Sequence, residues 1–246
     1  MKRELNFFWS KLFNFDWKFG LFLILVFCTS RFILVLHANE TSDYKFIGLV
    51  MFVYALTPFI FLNKHGRKLM EMRKPQNYYW LINAFIFGLI FSLVLYLLGD
   101  FIYHNTFQNW YVYIGKSYNI PSEIGSEDKL ILFAIMAVTG MIFSPVGEEL
   151  LFRGIIHSSF AKSIGHSKAS VVDSSAFAIT HVSHFGLVFV NEEWQFFTLP
   201  ALIWVISMFL VSQLFYLCKK KTKSIIGAII CHSAFNLGMT YCIFYL

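Results

Sequence analysis

Charge is scarce in this sequence. Asp, Glu, Lys and Arg make up 14% of the 246 residues, and apolar residues make up 57%. Soluble globular proteins carry about 25% charged residues, so the shortage excludes that class and points to an integral membrane protein. Long tracts of like charge are missing too, so the net charge of +6 does not mark a nucleic-acid partner. No cysteine pair has CxxC or disulfide-type spacing. Cys28, Cys218, Cys231 and Cys242 fall in or at the ends of apolar runs and read as small buried residues. No small-residue cleavage site follows the first apolar run, which argues against a removed leader. Residues 1–18 read instead as an interfacial segment, with Trp9 and Trp17 at headgroup level. Repeats, linkers and low-complexity tracts are absent.

What is present is a series of apolar runs long enough to cross a bilayer, about 17–25 residues each. They fall near 19–37, 46–63, 79–99, 130–151, 169–190, 196–218 and 224–246. The expectation is an all-α, polytopic transmembrane helical bundle of about seven spans. Segment 101–115 is expected to form an extra interfacial or re-entrant helix. Pro145 should bend the fourth span, because it removes one backbone donor. Loops 64–76, 162–168 and 219–223 are basic: Lys64, Arg67, Lys68, Arg73 and Lys74; Lys162 and Lys168; Lys219, Lys220, Lys221 and Lys223. The alternate loops carry Glu40 and Asp43, then Asp100, Glu123, Glu127 and Asp128, then Glu192 and Glu193. This alternation puts the N-terminus in the cytoplasm and the C-terminus outside. Short loops and heavy use of Phe, Ile and Lys suggest a bacterial plasma membrane.

Polar groups inside the spans are expensive there and mark function. The fourth span carries Glu148, Glu149 and Arg153. Glu149 and Arg153 are four apart, acid first, which is favourable helical ion-pair geometry. Glu148 lies about 100° around the helix without an obvious local partner. An unpaired buried carboxylate is expected to have a raised pKa, suited to a general base or acid. The fifth span carries Phe177 and His181 on one face, with His184 beyond them near a helix end, where it reads as structural. The seventh carries His232 and Asn236, again four apart, both able to donate hydrogen bonds to a developing oxyanion. Counted from the basic loops at about 1.5 Å per residue, Glu148, His181 and His232 lie about 12–21 Å deep. Three helices thus place polar groups in one slab of the membrane, as one common site requires.

Glu148-Glu149-x-x-x-Arg153, Phe177-x-x-x-His181 and His232-x-x-x-Asn236, in this order on separate helices, resemble the motifs of the CPBP (Abi) family. That family comprises the type II CAAX prenyl endopeptidases and their bacterial relatives, including bacteriocin-processing and self-immunity proteins. The resemblance covers roughly residues 130–240. It implies intramembrane proteolysis in an all-helical fold with a conical cavity open to the cytoplasm. Glu148 would activate water with His181 assisting, His232 and Asn236 would form the oxyanion pair, and Glu149 and Arg153 would support them. Residues 129–246 would be the catalytic core, and residues 1–128 carry no recognisable signal.

The family is also described as metalloproteases, and Glu148, His181 and His232 would be the zinc ligands in that case. The HExxH motif is absent, and a metal-free reaction without cofactor is favoured. The implied partners are the lipid bilayer and a peptide or protein substrate that is membrane-embedded or lipid-modified, with no nucleic acid. Two other readings use the same residues. One is a non-catalytic immunity or scaffold protein. The other is a proton-coupled transporter, disfavoured by the odd span count and the lack of a repeat.

Overall fold

A computed structural model describes residues 4–121 and 123–246; residues 1–3 of the expected interfacial segment lie outside the described residues. The chain is helical apart from one hairpin. Helix α1 covers Trp17–Thr41 and starts at Asp16, whose carboxylate accepts the amides of Lys18 (2.9 Å) and Phe19 (3.3 Å). Capping satisfies donors that a helix start leaves open. There follow α2 (Lys45–Phe61), α3 (Lys64–Leu69), α4 (Tyr79–Tyr103) and the short α5 (Trp110–Gly115). Helix α6 runs continuously over Ser126–Ile164, and Gly165, at φ 79°, turns the chain into α7 (His166–Thr180). After the hairpin, α8 (Thr198–Thr222) and α9 (Ile225–Tyr245) complete the bundle.

Among the described residues five helices, α1, α4, α6, α8 and α9, are long and apolar enough to cross a membrane. Helix α2 is apolar but has 17 residues. The expected span 169–190 departs most from expectation. Its helix stops at Thr180, a 3-10 turn covers His181–Ser183, and Leu187–Val190 (β1) pairs antiparallel with Glu193–Phe196 (β2). The reason is local. Asn191 and Glu192 both adopt positive φ, 54° and 65°, the type I′ geometry that closes a two-residue hairpin. Gly186, at φ 134°, lies between the 3-10 turn and β1 in a backbone region that favours glycine. A short apolar run is ambiguous between helix and strand until its turn is recognised.

The other expected irregular segments pack inward. In 101–115, α5 buries Trp110, Tyr111 and Tyr113, and the Tyr111 hydroxyl donates to the Ser92 carbonyl of α4 at 2.6 Å. It is therefore tucked against α4 instead of lying on a lipid surface. Near the N-terminus, Leu5 bridges to Leu62, and Asn6 donates to the carbonyls of Phe59 (3.2 Å) and Ile60 (2.8 Å) at the end of α2. Phe7 and Phe8 stay exposed.

Helix α9 packs along both α4 and α6, and α2 packs on α6. The α2–α6 contact is close because Gly147 has no side chain: a Cβ there would collide with the Met51 carbonyl oxygen. This backbone cannot retreat without moving α2. Gly147→Ala should therefore destabilise the protein by about 1–3 kcal/mol. Gly48→Ala on the same α2 surface, where an added Cβ meets nothing within 4 Å, should leave stability unchanged. Thermal unfolding of the detergent-solubilised variants distinguishes the two.

Candidate active site

The site forms where α1, α6, α7 and α9 meet. Helix α6 is regular through Glu149 and then widens into a π-helical stretch over Leu150–Ile156, all of it buried. Such π segments recur at functional sites. Within this stretch the Arg153 carbonyl accepts a hydrogen bond from Lys219 Nζ at 2.6 Å. Lys219 is thus a buried residue of α8 and not a loop charge, as the sequence suggested.

Arg153 is fully buried and held on several sides. Its Nε lies 3.3 Å from Glu149 Oε2, the expected i,i+4 ion pair, and 4.0 Å from Asp173 Oδ1. Its Nη2 donates to Ser212 Oγ at 2.5 Å. The guanidinium carbon sits over the rings of Phe177 (4.4 Å) and Phe215 (5.2 Å), a cation–π arrangement strengthened by desolvation. Asp173 in turn meets His157 Nδ1 at 2.7 Å.

Glu149 carries this order to α9. Its Oε1 lies 2.8 Å from His232 Nδ1. A carboxylate accepts, so a hydrogen is on Nδ1, and a neutral ring with that hydrogen presents a lone pair at Nε2. Phe215 stacks on His232 with centroids 4.5 Å apart. His181 is fixed in the same way: its Nδ1 donates to the Phe177 carbonyl at 2.7 Å, and its ring lies 4.1 Å from that of Phe177.

Both Nε2 atoms approach one oxygen. His181 Nε2 is 3.8 Å and His232 Nε2 is 4.0 Å from Glu148 Oε2. Glu148 Oε2 has no hydrogen-bond partner among the described residues. These separations are too long for direct hydrogen bonds and suit one bridging water. Glu148 Oε1, by contrast, accepts from Ser144 Oγ (2.9 Å) and from Arg31 Nη2 (2.7 Å). The expectation that Glu148 lacks a partner fails. Its partner lies 117 positions away in sequence.

Arg31 is also 3.0 Å from His184 Nε2. Sequence reasoning passed over Arg31, although it is a charge inside the first apolar run, and took His184 as a helix-end residue. It also missed Asp173, a carboxylate inside the fifth run, and Phe215, which gives no sequence signal. Asn236 shares the site only in part. Its Nδ2 donates to the Gly140 carbonyl at 3.0 Å, and it is not bonded to Glu148.

Arg31, Ser144, His181, His184, His232 and Asn236 line a cavity of about 430 Å³. Its remaining wall comes from Tyr44 and the first turns of α2, the segment 114–118, the middle of α6, Phe177 of α7, Trp204 and Met208 of α8 and the C-terminal half of α9; none comes from the basic loops. On the basic-loop side, residues 147–160 of α6 are buried without a break. The cavity therefore occupies the half of the bundle remote from those loops. A second, more polar cavity of about 530 Å³ adjoins it and shares Tyr44, Ile114, Ser117 and His184. Tyr44 donates to Asn39 Oδ1 (3.0 Å), and Asn39 donates to the Ser183 carbonyl (2.8 Å). Burial pushes the Tyr44 phenol up to about 12, so it remains a donor, and the chain segment before His184 stays tied to the end of α1.

Residues 130–238 match the family model described as Rce1-like, Type II CAAX prenyl endopeptidase Rce1-like. The match spans less than half of the chain. The match includes Glu148, Glu149, Arg153, His181, His232 and Asn236, and leaves Arg31 outside. Five membrane-length helices among the described residues agree with a multi-pass membrane protein. No curated protein and no solved structure matches the chain.

In the zinc alternative, Glu148, His181 and His232 are the ligands. His181 and His232 have their Nδ1 atoms satisfied, as metal-binding imidazoles do. Among the described residues, however, no three His, Cys, Asp or Glu side chains form a group that could hold a metal ion. The Arg31 guanidinium, 2.7 Å from Glu148, also places a positive charge where the cation's carboxylate ligand would be.

Asp173→Ala should leave Arg153 and His157 short of a buried partner. The expected loss is about 3–5 kcal/mol of stability, read as a lowered midpoint of thermal unfolding, with no change in the residues facing the cavity.

Proposed function

We propose that this protein is an intramembrane endopeptidase that hydrolyses a peptide bond in a membrane-associated protein or peptide. One observation carries the reading: the unpartnered Glu148 Oε2 flanked by two imidazole Nε2 atoms at 3.8 and 4.0 Å, within the Rce1-like segment. A water held by Glu148 Oε2 and an imidazole lone pair is oriented and polarised. Glu148 takes a proton as the water oxygen bonds to the scissile carbonyl carbon. The C–N bond then breaks, and the proton passes from Glu148 to the leaving nitrogen. His181 assists from its fixed tautomer. Glu149 and Arg153 hold His232 in place. Asn236 keeps one amide hydrogen free of Gly140 for the carbonyl oxygen. The reaction is metal-free.

Residues 129–246 form the catalytic core in this reading, and residues 1–128 complete its walls. The basic loops support a cytoplasmic N-terminus and an outside C-terminus in a bacterial plasma membrane. The cavity lining, which lies away from those loops, supports substrate entry from the non-cytoplasmic face. This differs from the cytoplasmic opening that the resemblance implied.

The test is cleavage of a CAAX-type peptide by the purified chain. Glu148→Gln should reduce kcat at least 1,000-fold and His181→Ala by about 100-fold or more, with both variants folded. A chelator should have no effect, and metal analysis of active protein should find no stoichiometric zinc. Wild-type cleavage by Glu148→Gln would overturn the mechanism. Retention of cellular function by a non-cleaving Glu148→Gln would favour a scaffold.

A further inference from the structure

Arg31 is buried, 2% exposed, yet lines the cavity. A guanidinium carries five N–H donors. Nη2 faces Glu148 Oε1 at 2.7 Å and His184 Nε2 at 3.0 Å. Nε and Nη1 have no hydrogen-bond partner among the described residues. Three N–H groups of a desolvated cation are thus unmet at the edge of a cavity beside the water-activating acid. Arg31 is also the one guanidinium or ammonium group among the cavity-lining residues.

We propose that Arg31 is a catalytic residue whose Nε and Nη1 hydrogens bind the carbonyl oxygen of the scissile peptide as it becomes an oxyanion. This rests on the endopeptidase reading. The expected oxyanion pair is incomplete without it. His232 gives its Nδ1 hydrogen to Glu149 and turns a lone pair toward the site, and Asn236 already spends one amide hydrogen on Gly140.

Charge movement gives the same answer. In the resting site Arg31 neutralises Glu148. As water adds, its oxygen bonds to the carbonyl carbon, the carbonyl π pair moves onto oxygen, and Glu148 takes the proton. Negative charge leaves Glu148 as it appears on the substrate, and Arg31 lies beside both positions. A donor that gains a partner only at that moment stabilises the transition state above the ground state. Reach favours this oxygen over a free C-terminal carboxylate. A carboxylate three residues beyond the scissile bond lies about 10 Å away at about 3.3–3.6 Å per residue, whereas Arg31 touches Glu148 itself.

The test uses the full chain in detergent with a farnesylated CAAX-type peptide and its phosphonamidate analogue, whose phosphoryl oxygen mimics the oxyanion. Arg31→Lys retains a cation for Glu148 but loses the forked donors. It should lower kcat about 100-fold with KM unchanged. In a Glu148→Gln background, adding Arg31→Gln should abolish the preference for phosphonamidate over amide peptide, at least tenfold, while amide binding stays constant. This binding arm does not depend on turnover or on a buried unpaired carboxylate. A wild-type kcat in Arg31→Lys, or an undiminished preference in the double variant, overturns the assignment of Arg31 alone. Absence of both cleavage and preference in the wild type overturns the endopeptidase reading together with it.

Discussion

The Glu149 carboxylate is the constraint on which the rest of the site depends. One oxygen meets His232 and the other meets Arg153, so a single side chain fixes an imidazole on α9 and anchors the π stretch of α6. In a buried setting neither contact can be exchanged for water. A carboxylate without its arginine, or an arginine without its carboxylate, would be an uncompensated charge. The surrounding groups follow from that requirement. Phe177 and Phe215 cover the guanidinium faces, Ser212 takes an edge, and Asp173 balances the remaining charge. The tautomer of His232, and so the character of the atom it turns to Glu148, is a consequence of Glu149.

The site divides into a sealed half and an open half. Toward the basic loops, charges are met by charges and aromatic faces, and α6 is buried through Phe160. Toward the other end, Glu148 Oε2 and two nitrogens of Arg31 have no hydrogen-bond partner among the described residues, and Arg31 lines a cavity. Unmet polar atoms are rare in folded proteins and call for a reason. Glu149 Oε2, Arg153 Nε and Nη1 and Asp173 Oδ1 also lack a hydrogen bond but belong to the Arg153 ion cluster, whereas Glu148 Oε2 lies beside the imidazoles of His181 and His232.

Parts of this were legible in the sequence for a physical reason. Residues four apart on a helix are neighbours whatever the tertiary structure. Glu149 with Arg153 could therefore be read directly, as could the shared faces of Phe177 with His181 and of His232 with Asn236. Depth counting brought Glu148, His181 and His232 toward one level, because helical rise is fixed. Contacts across long sequence separations were not legible. Arg31 meets Glu148 from another helix, and no local pattern encodes that meeting, although a lone arginine in an apolar run was itself a signal. The span 169–190 was misread because hydropathy registers apolarity and not shape, and the Asn191-Glu192 turn carries no glycine to announce it.

Helix lengths around the cavity have a consequence for the surrounding lipid. Helix α7, which ends at His181, has 15 residues, and α2, which forms part of the cavity wall, has 17. At 1.5 Å per residue these are about 22 and 26 Å long, short of a hydrocarbon layer of about 30 Å. Local thinning of the bilayer is one way to match such short helices, beside flanking residues that reach to the interface. Thinning shortens the oily path between headgroups and Glu148, so a polar backbone reaching the site sheds less of its hydration than it would beside a full-length helix. Membrane thickness thereby becomes a variable of this protein's chemistry, and lipids with longer acyl chains should work against it.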